Sequence, residues 1–337
     1  MKVFLTSLKV KQTIKTSLTL HLLPHQGETW ESVQPILKTK QQEKERVKDS
    51  WYCRFRPGTG DRDHMLLAVC VYHKHWMPPN HNLEAHNGYY LELDTRTQKW
   101  YNVKGEELTD MPLTKERADE LVQVFDTEHS DVFTFHYVHP GSVALDNDGR
   151  PHLLYKISVD GEVEGLRVGR GRKKMFYVKW NGSHWTEPIS VSGPDGAEFD
   201  EDGDIEFLES GSRLEAVFAV SNKTHSTVAS FVSNDTGQSW NPGQPLMTLK
   251  GPGKFRTSAF VANGRPDARI AAYLLEPNQR QIGAYRKCYL IGNDGAIRRP
   301  IRQADVCHGE LVGEKGSLCV PNDNYEDMNF GENVVAS

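Results

Sequence analysis

Short apolar segments recur along this chain, some alternating with polar residues at the period of two that puts every second side chain on one face of a β-strand and some apolar throughout. Residues 1–22 alternate loosely (Val3, Leu5, Leu8, Val10, Ile14, Leu18, Leu20) and read as two or three strands. From Met65 to Tyr72 the pattern is a continuous apolar run, which predicts a strand buried on both faces. Residues 89–93 form another strand that leads into Trp100. Strands over 133–138 and 152–155 flank Asp146-Asn-Asp148-Gly149-Arg-Pro151, where Asp-Gly supplies a hairpin turn. The series continues over 175–180, 205–208, 214–219, 228–232, 268–275 and 287–291. One helix is predicted, over 114–125, with Ala118, Leu121, Val122 and Phe125 on one side. The charge run 38–49 reads as a solvated loop or short helix. The chain is expected to be all-β.

The tryptophans add a weak repeat. Ser233-Asn-Asp235-Thr-Gly237-Gln-Ser239-Trp240 follows Ser/Thr-x-Asp-x-Gly-x-Ser/Thr-Trp, the Asp-box of hairpin turns in sialidase-like β-propellers. In such a turn Asp235 accepts N–H groups of its own turn, Gly237 supplies positive φ, Ser239 closes the turn, and Trp240 packs back onto a sheet. Degenerate echoes surround Trp30 (with Gly27 and Thr29), Trp100 (with Asp94) and Trp185 (with Asn181 and Gly182). The intervals are uneven: 100 − 30 = 70, 185 − 100 = 85 and 240 − 185 = 55. Four-stranded blades repeating every ~40–50 residues are the mark of a β-propeller. Five to six blades are legible, over residues 1–304, with the helix at 114–125 as a rim insertion. Residues 305–337 read as a polar tail or closing segment.

Composition narrows the classes. At 337 residues and 37% hydrophobic content the chain can bury a substantial core. With a net charge of −5 the molecule as a whole does not advertise affinity for nucleic acid or anionic membrane. No window approaches the ~18 apolar residues of a membrane span. Met1-Lys2-Val3-Phe4-Leu5 opens like a signal peptide, but Lys9 and Lys11 interrupt it, so the chain reads as a mature form, a fragment or a cytosolic protein. Five cysteines, an odd number, argue against a complete disulfide framework. Cys307, His308 and Cys319 are weak candidates for metal ligands, lacking a close CxxC pair. Sequons at Asn181, Asn222 and Asn234 would suit a secreted protein.

Two stretches carry chemistry. His73, His75, His81 and His86 fall within 14 residues, with Asn87 beside the last. A strand-borne His-x-His puts His73 and His75 on one face. That suits acid–base work or substrate contact, with a bland polar loop or a metal site as the alternatives. Downstream, Tyr155 is followed by Arg167, Arg170, Arg172, Lys173 and Lys174 among glycines. Such a loop would suit an anionic sugar, because guanidinium pairs bidentately with carboxylate or sulfate. A solvated basic loop is the plainer reading.

In order and spacing, Tyr72-His73, the 87–93 strand, Trp100, Asp110-Met-Pro-Leu-Thr114, the 146–155 unit, Lys179-Trp-Asn-Gly-Ser-His-Trp185, the Asp-box and Cys288-Tyr-Leu-Ile-Gly-Asn-Asp-Gly295 resemble the BNR-repeat propellers that include the ulvan lyases. The resemblance covers roughly residues 25–300. It implies a seven-bladed propeller that cleaves a uronate polysaccharide by β-elimination. It also implies that His73 is catalytic, that Tyr155 is general acid or base, and that Arg170 or Arg172 neutralises the uronate carboxylate. Arg54, His75, Asn87 and Lys173 are expected as further substrate contacts. The resemblance expects a second His about twenty residues before His73, where this chain has Asp49-Ser-Trp-Tyr-Cys-Arg54, leaving Arg54 or His64 as candidates for its role. The chemistry requires no cofactor, and no structural metal is legible. A monomer acting on an anionic polysaccharide outside the cell or in the periplasm is expected. The alternatives are a non-catalytic glycan- or protein-binding propeller and a sialidase-like hydrolase, although no spacing singles out the Arg triad of the latter.

Overall fold

The apolar run at Met65 becomes the centre of a sheet, and its two faces seed two cores. The computed structural model describes residues 2–5, 17–23, 34–39, 41–42, 47–75, 83–129, 138–158, 173–191, 198–199, 204–207, 213–222, 224–241, 243–250, 255–261, 266, 268–274, 287–298 and 334–335. Strands β1 (Lys2–Leu5), β2 (Ser17–Leu23) and β3 (Gln34–Lys38) pair in chain order. The next sheet holds β4 (Ser50–Pro57), β5 (Met65–His75) and β6 (Leu83–Asp94), also in chain order. β7 (Lys99–Tyr101) pairs with the end of β6; after helix α1 (Lys115–Leu121), β8 (Gln123–Phe125) pairs with its middle. A third sheet is the meander β9 (Val138–Leu145), β10 (Pro151–Ser158), β11 (Lys173–Lys179) and β12 (Ile189–Ser190). Then β13 (Leu214–Ser221), β14 (His225–Ser233) and β15 (Gln244–Lys250) pair in order. So do β16 (Phe255–Phe260), β17 (Ile270–Leu274), β18 (Lys287–Ile291) and β19 (Ile297–Arg298). The fold is all-β, in consecutive meanders of the propeller-blade kind.

The chain divides into two compact units. One comprises residues 1–192, 204–215 and 232–241; the other comprises 193–203, 216–231 and 242–337. In the first, Leu66, Ala68, Cys70 and Tyr72 of β5 pack with Ile36, Leu37, Trp51, Leu91 and Leu113. The opposite face, Leu67, Val69 and Val71, packs with Val138, Val143, Leu153, Tyr155 and Val178. Both faces being dry, polar alternation would put unpaired polar groups in a core, so the run is apolar throughout. Each buried Leu or Val contributes about 1.5–3 kcal/mol. The second unit has its own core, built on Val217, Val228, Met247, Ile270, Ala272 and Ile291.

Four sequence expectations change. The helix is shorter than 114–125: Thr114 caps it by accepting the Arg117 N–H at 3.3 Å, and it ends at Leu121. Residues 123–125 are instead β8, pairing Gln123 with Tyr89 and Phe125 with Gly88. The edge of β6 offers ladder partners there, and burial of Val124 and Phe125 favours pairing over another helical turn. The charge run at 38–49 contains a small ladder, Gln41–Gln42 against Val47–Lys48, rather than a helix. Cys53 and Cys70, direct cross-strand partners on β4 and β5, form a disulfide that the odd cysteine count hid. At the far end of the chain Val334 and Val335 pair with Leu249 and Thr248 of β15; the rest of 305–337, with Cys307, His308 and Cys319, lies outside the described residues. So does the Trp30 echo.

The turn after β14 forms as its residues require. Asp235 accepts the Ser239 hydroxyl at 2.5 Å, the Ser239 N–H at 2.8 Å and the Ser233 hydroxyl at 2.7 Å. These donors push its carboxyl down to about 2. Gly237 has φ of +89°, and Trp240 meets the Tyr177 ring edge-on at 5.4 Å. Thr236, at φ +56°, is a β-branched residue in the left-handed region. Two groups of β11 hold it there: the Tyr177 hydroxyl and the Lys179 ammonium each donate to the Thr236 carbonyl at 3.0 Å.

Candidate functional site

The site is set by alternation along β4. Trp51, Cys53 and Phe55 turn to the first core, so Ser50, Tyr52, Arg54 and Arg56 turn to the other face. Register places Ser50 opposite His73, Tyr52 opposite Val71 and Arg54 opposite Val69. That face looks toward β9: Arg56 donates to the Ser142 hydroxyl at 3.4 Å and to the Val143 carbonyl at 3.2 Å. Where β9 begins, His139 comes up beside Tyr52. Their rings stack at 5.8 Å with 29° between planes, and on its other flank Tyr52 lies 4.7 Å from the His73 ring. One phenol therefore sits between two imidazoles drawn from three strands.

Exposure separates their roles. Tyr52 is 37% exposed and Arg54 is exposed, His139 is half-buried, and His73 is wholly buried beneath Tyr52. The Ser50 hydroxyl lies 3.2 Å from Nδ1 of His73, which fixes the ring's orientation. His139 Nδ1 lies 3.3 Å from the Pro140 carbonyl. A carbonyl only accepts, so in the neutral ring Nδ1 carries the proton and Nε2 keeps the lone pair. Burial raises the Tyr52 phenol above its ordinary value.

Behind β5 and β6 lies a buried polar network. Tyr72 donates to Asp49, and Tyr89 donates to Asp119 at 2.7 Å. Lys115 pairs with Asp119 at 2.7 Å and with Glu128 at 2.9 Å. Burial, reinforced by the Asp49 hydrogen bond, raises the Tyr72 phenol well beyond its usual range. These groups bind one another and tie α1 to the sheet. Among the described residues, no three His, Cys, Asp or Glu side chains are grouped to hold a metal ion.

The residues singled out in the sequence do not gather in one place. His73 and Arg54 lie on the shared face. Tyr155 does not: it is fully buried, its ring edge-on to Phe125 at 4.8 Å, its hydroxyl donating to the Tyr89 carbonyl at 3.0 Å. Burial raises that phenol far above its ordinary range. Asn87, at φ +58°, is the bulge residue of β6. Its side chain accepts the Thr127 N–H at 2.7 Å and is buried, a structural assignment. His64 sits at the other end of the β4–β5 hairpin from His73. His75 ends β5 opposite Leu83, and Lys173 begins β11 opposite Ser158, with both side chains outside the described residues. Arg170 and Arg172 lie outside them altogether. Sequence reading missed Tyr52, Ser50 and His139. The period-two polar face of 50–56 was a usable signal for the first two; nothing local ties His139, 87 residues further on (139 − 52), to them.

Consecutive antiparallel meanders define the class: an all-β propeller-type protein. A solved PL25 ulvan lyase has the same fold, with a TM-score of 0.65 at 23% identity over 82% of this chain and 59% of that one. The model of the BNR repeat-containing family matches residues 17–191, and the chain belongs to that family. It is 30% identical over 289 residues to an ulvan lyase of Nonlabens ulvanivorans, covering 83% of this chain and 56% of the relative. To an ulvan lyase of Alteromonas sp. (strain LOR) it is 27% identical over 281 residues, 82% of this chain and 53% of the relative. The chain spans a little over half the length of the curated relatives it matches.

Proposed function

We propose that this chain is a polysaccharide lyase that cleaves a uronate-containing anionic polysaccharide of the ulvan type by β-elimination at the face shared by β4, β5 and β9. One observation carries the reading: an exposed phenol between two imidazoles, with the exposed Arg54 guanidinium two positions along the same strand face. Elimination needs three things: a charge to offset the uronate carboxylate so that the C5 proton becomes acidic, a base for that proton, and an acid for the departing O4. Arg54 supplies the first from the described residues, and Arg170 or Arg172 adds to it by resemblance. The imidazoles and the phenol supply the other two.

Similarity to the two ulvan lyases supports the substrate class. A solved relative of this fold is bound to -[GlcA(1-4)Rha3S]-, a repeat with one carboxylate and one sulfate, both suited to guanidinium. The Cys53–Cys70 disulfide suits an oxidising compartment, in keeping with extracellular action on a polymer. We take the working unit as a monomer, which light scattering tests. The step is not a redox reaction and needs no cofactor, so activity should survive chelator treatment. The test of the whole reading is incubation of the purified chain with ulvan, glucuronan and glycosaminoglycans, following the ultraviolet absorbance of unsaturated product ends. Absence of unsaturated ends with every uronate polymer overturns it.

A further inference from the structure

We propose that Arg56 is a positioning residue for this reaction: it pins a bulge in β9, and the bulge turns His139 out of the core and onto the Tyr52 ring. The inference rests on the lyase reading and concerns how the face that hosts it is assembled.

Pairing along β9 shows where the strand departs from a regular ladder. Pro140 lies opposite Tyr155 and Val143 opposite Leu153, so Gly141 and Ser142 together face Leu154 alone. Two residues against one make a β-bulge, which re-aims the side chains beside it. In a regular strand counted back from Val143, residues 141 and 139 would point into the core shared with β5 and residue 138 away from it. The extra residue reverses this. Val138 joins Val143 and Leu145 in that core and is fully buried. His139 is half-buried, with its ring stacked on Tyr52 at 5.8 Å.

Two features fix the bulge. Gly141 leaves no room for a side chain, since a Cβ there would lie 2.6 Å from the Leu154 carbonyl oxygen. From β4, one terminal nitrogen of the Arg56 guanidinium donates to the Ser142 hydroxyl at 3.4 Å and to the Val143 carbonyl at 3.2 Å. Arg56 and Tyr52 share a face of β4, so the strand that carries the Tyr52 ring also grips the bulge that presents His139. A guanidinium suits this task because its N–H groups point in fixed directions, whereas a lysine ammonium swings on a flexible stem.

The experiment compares wild type, Arg56→Met and Arg56→Lys by two readouts. The first is kcat and KM on ulvan. A displacement of about 1 Å at a reacting group can cost about 100-fold, so Arg56→Met is expected to lower kcat about 10–100-fold with KM within about threefold. Arg56→Lys is expected to recover part of that loss. The second readout needs no substrate. In protein carrying isotope-labelled histidine, the His139 ring resonance is identified by its absence in His139→Gln. Its ring-current displacement by Tyr52 is its difference from Tyr52→Leu. Arg56→Met is expected to remove most of that displacement, with circular dichroism and melting curves showing a folded chain. If Arg56→Met does not fold, Arg56→Lys carries both readouts, with kcat and the displacement each expected below wild type. A folded variant that keeps the wild-type kcat or the wild-type displacement overturns the proposal. So does a raised KM at unchanged kcat, which makes Arg56 a substrate contact. A wild type inactive on every uronate polymer removes the lyase reading, and the displacement in Arg56→Met still decides whether Arg56 places His139.

Discussion

Gly237→Ala is the sharpest test of how the Asp-box turn is held. A Cβ at Gly237 would lie 2.1 Å from Cε1 and Cζ of Tyr177 and 2.3 Å from its hydroxyl oxygen. Ordinary carbon contact is about 3.5 Å, so the ring must retreat by about 1.4 Å. It cannot do so cheaply. Its hydroxyl donates to the Thr236 carbonyl and lies against His152 Nδ1, and its outer edge meets Trp240. At φ +89° the new side chain also costs about 1–2 kcal/mol in backbone strain. Overpacking against a pinned ring adds about 1–3 kcal/mol, for a total of about 2–5 kcal/mol. Gly105→Ala is the control: its φ is +79°, but nothing lies within 4 Å of the added carbon, so only the backbone cost of about 1–2 kcal/mol applies. Urea unfolding followed by tryptophan fluorescence, with unchanged m-values, gives both numbers. Should Gly237→Ala destabilise no more than Gly105→Ala, the turn is not clamped on Tyr177 and the account of the Asp-box docking onto β11 fails.

Other consequences follow from buried groups. His152 is held below its ordinary 6.5, chiefly by burial, with the Asp146 carboxylate opposing the shift. Above that pH it is neutral in both folded and unfolded chains; as pH falls through 6.5, the unfolded chain takes up a proton the folded one refuses. Stability should therefore drop between pH 7 and 5 by up to about 1.4 kcal/mol per pH unit from this residue, and His152→Gln should flatten that slope in pH-dependent urea melts. Reducing Cys53–Cys70, which spans 17 residues, should cost about 3 kcal/mol, read as a lower urea midpoint in the presence of reductant. Tyr155→Phe removes a buried hydrogen bond to the Tyr89 carbonyl and should cost about 1 kcal/mol, measured the same way. A loss near zero would mean that the carbonyl is satisfied without it.

What the amino-acid order determined by itself was everything that local physics controls. Two-residue alternation, the doubly apolar run at 65–72 and Asp-Gly or Asp-box turns specify strands, their buried faces and their hairpins without reference to distant residues. His73 was legible from its histidine cluster and from the resemblance to the BNR-repeat family, and Arg54 only as a candidate for the second His that the resemblance expects. What only the tertiary structure decided was which strand ends meet. Tyr52 and His139 become neighbours because β4 and β9 face each other across a core, a contact that no local spacing encodes. Tyr155 and Asn87 carry site-like motifs but are taken up by packing, a carbonyl bond in one case and a bulge in the other. Residues 123–125 left the helix because β6 offered them a free edge, and Cys53 reached Cys70 because register put them opposite. Strand identity is a property of near neighbours along the chain, whereas a site on a sheet protein is a property of register and facing, which exist only after the sheets have packed.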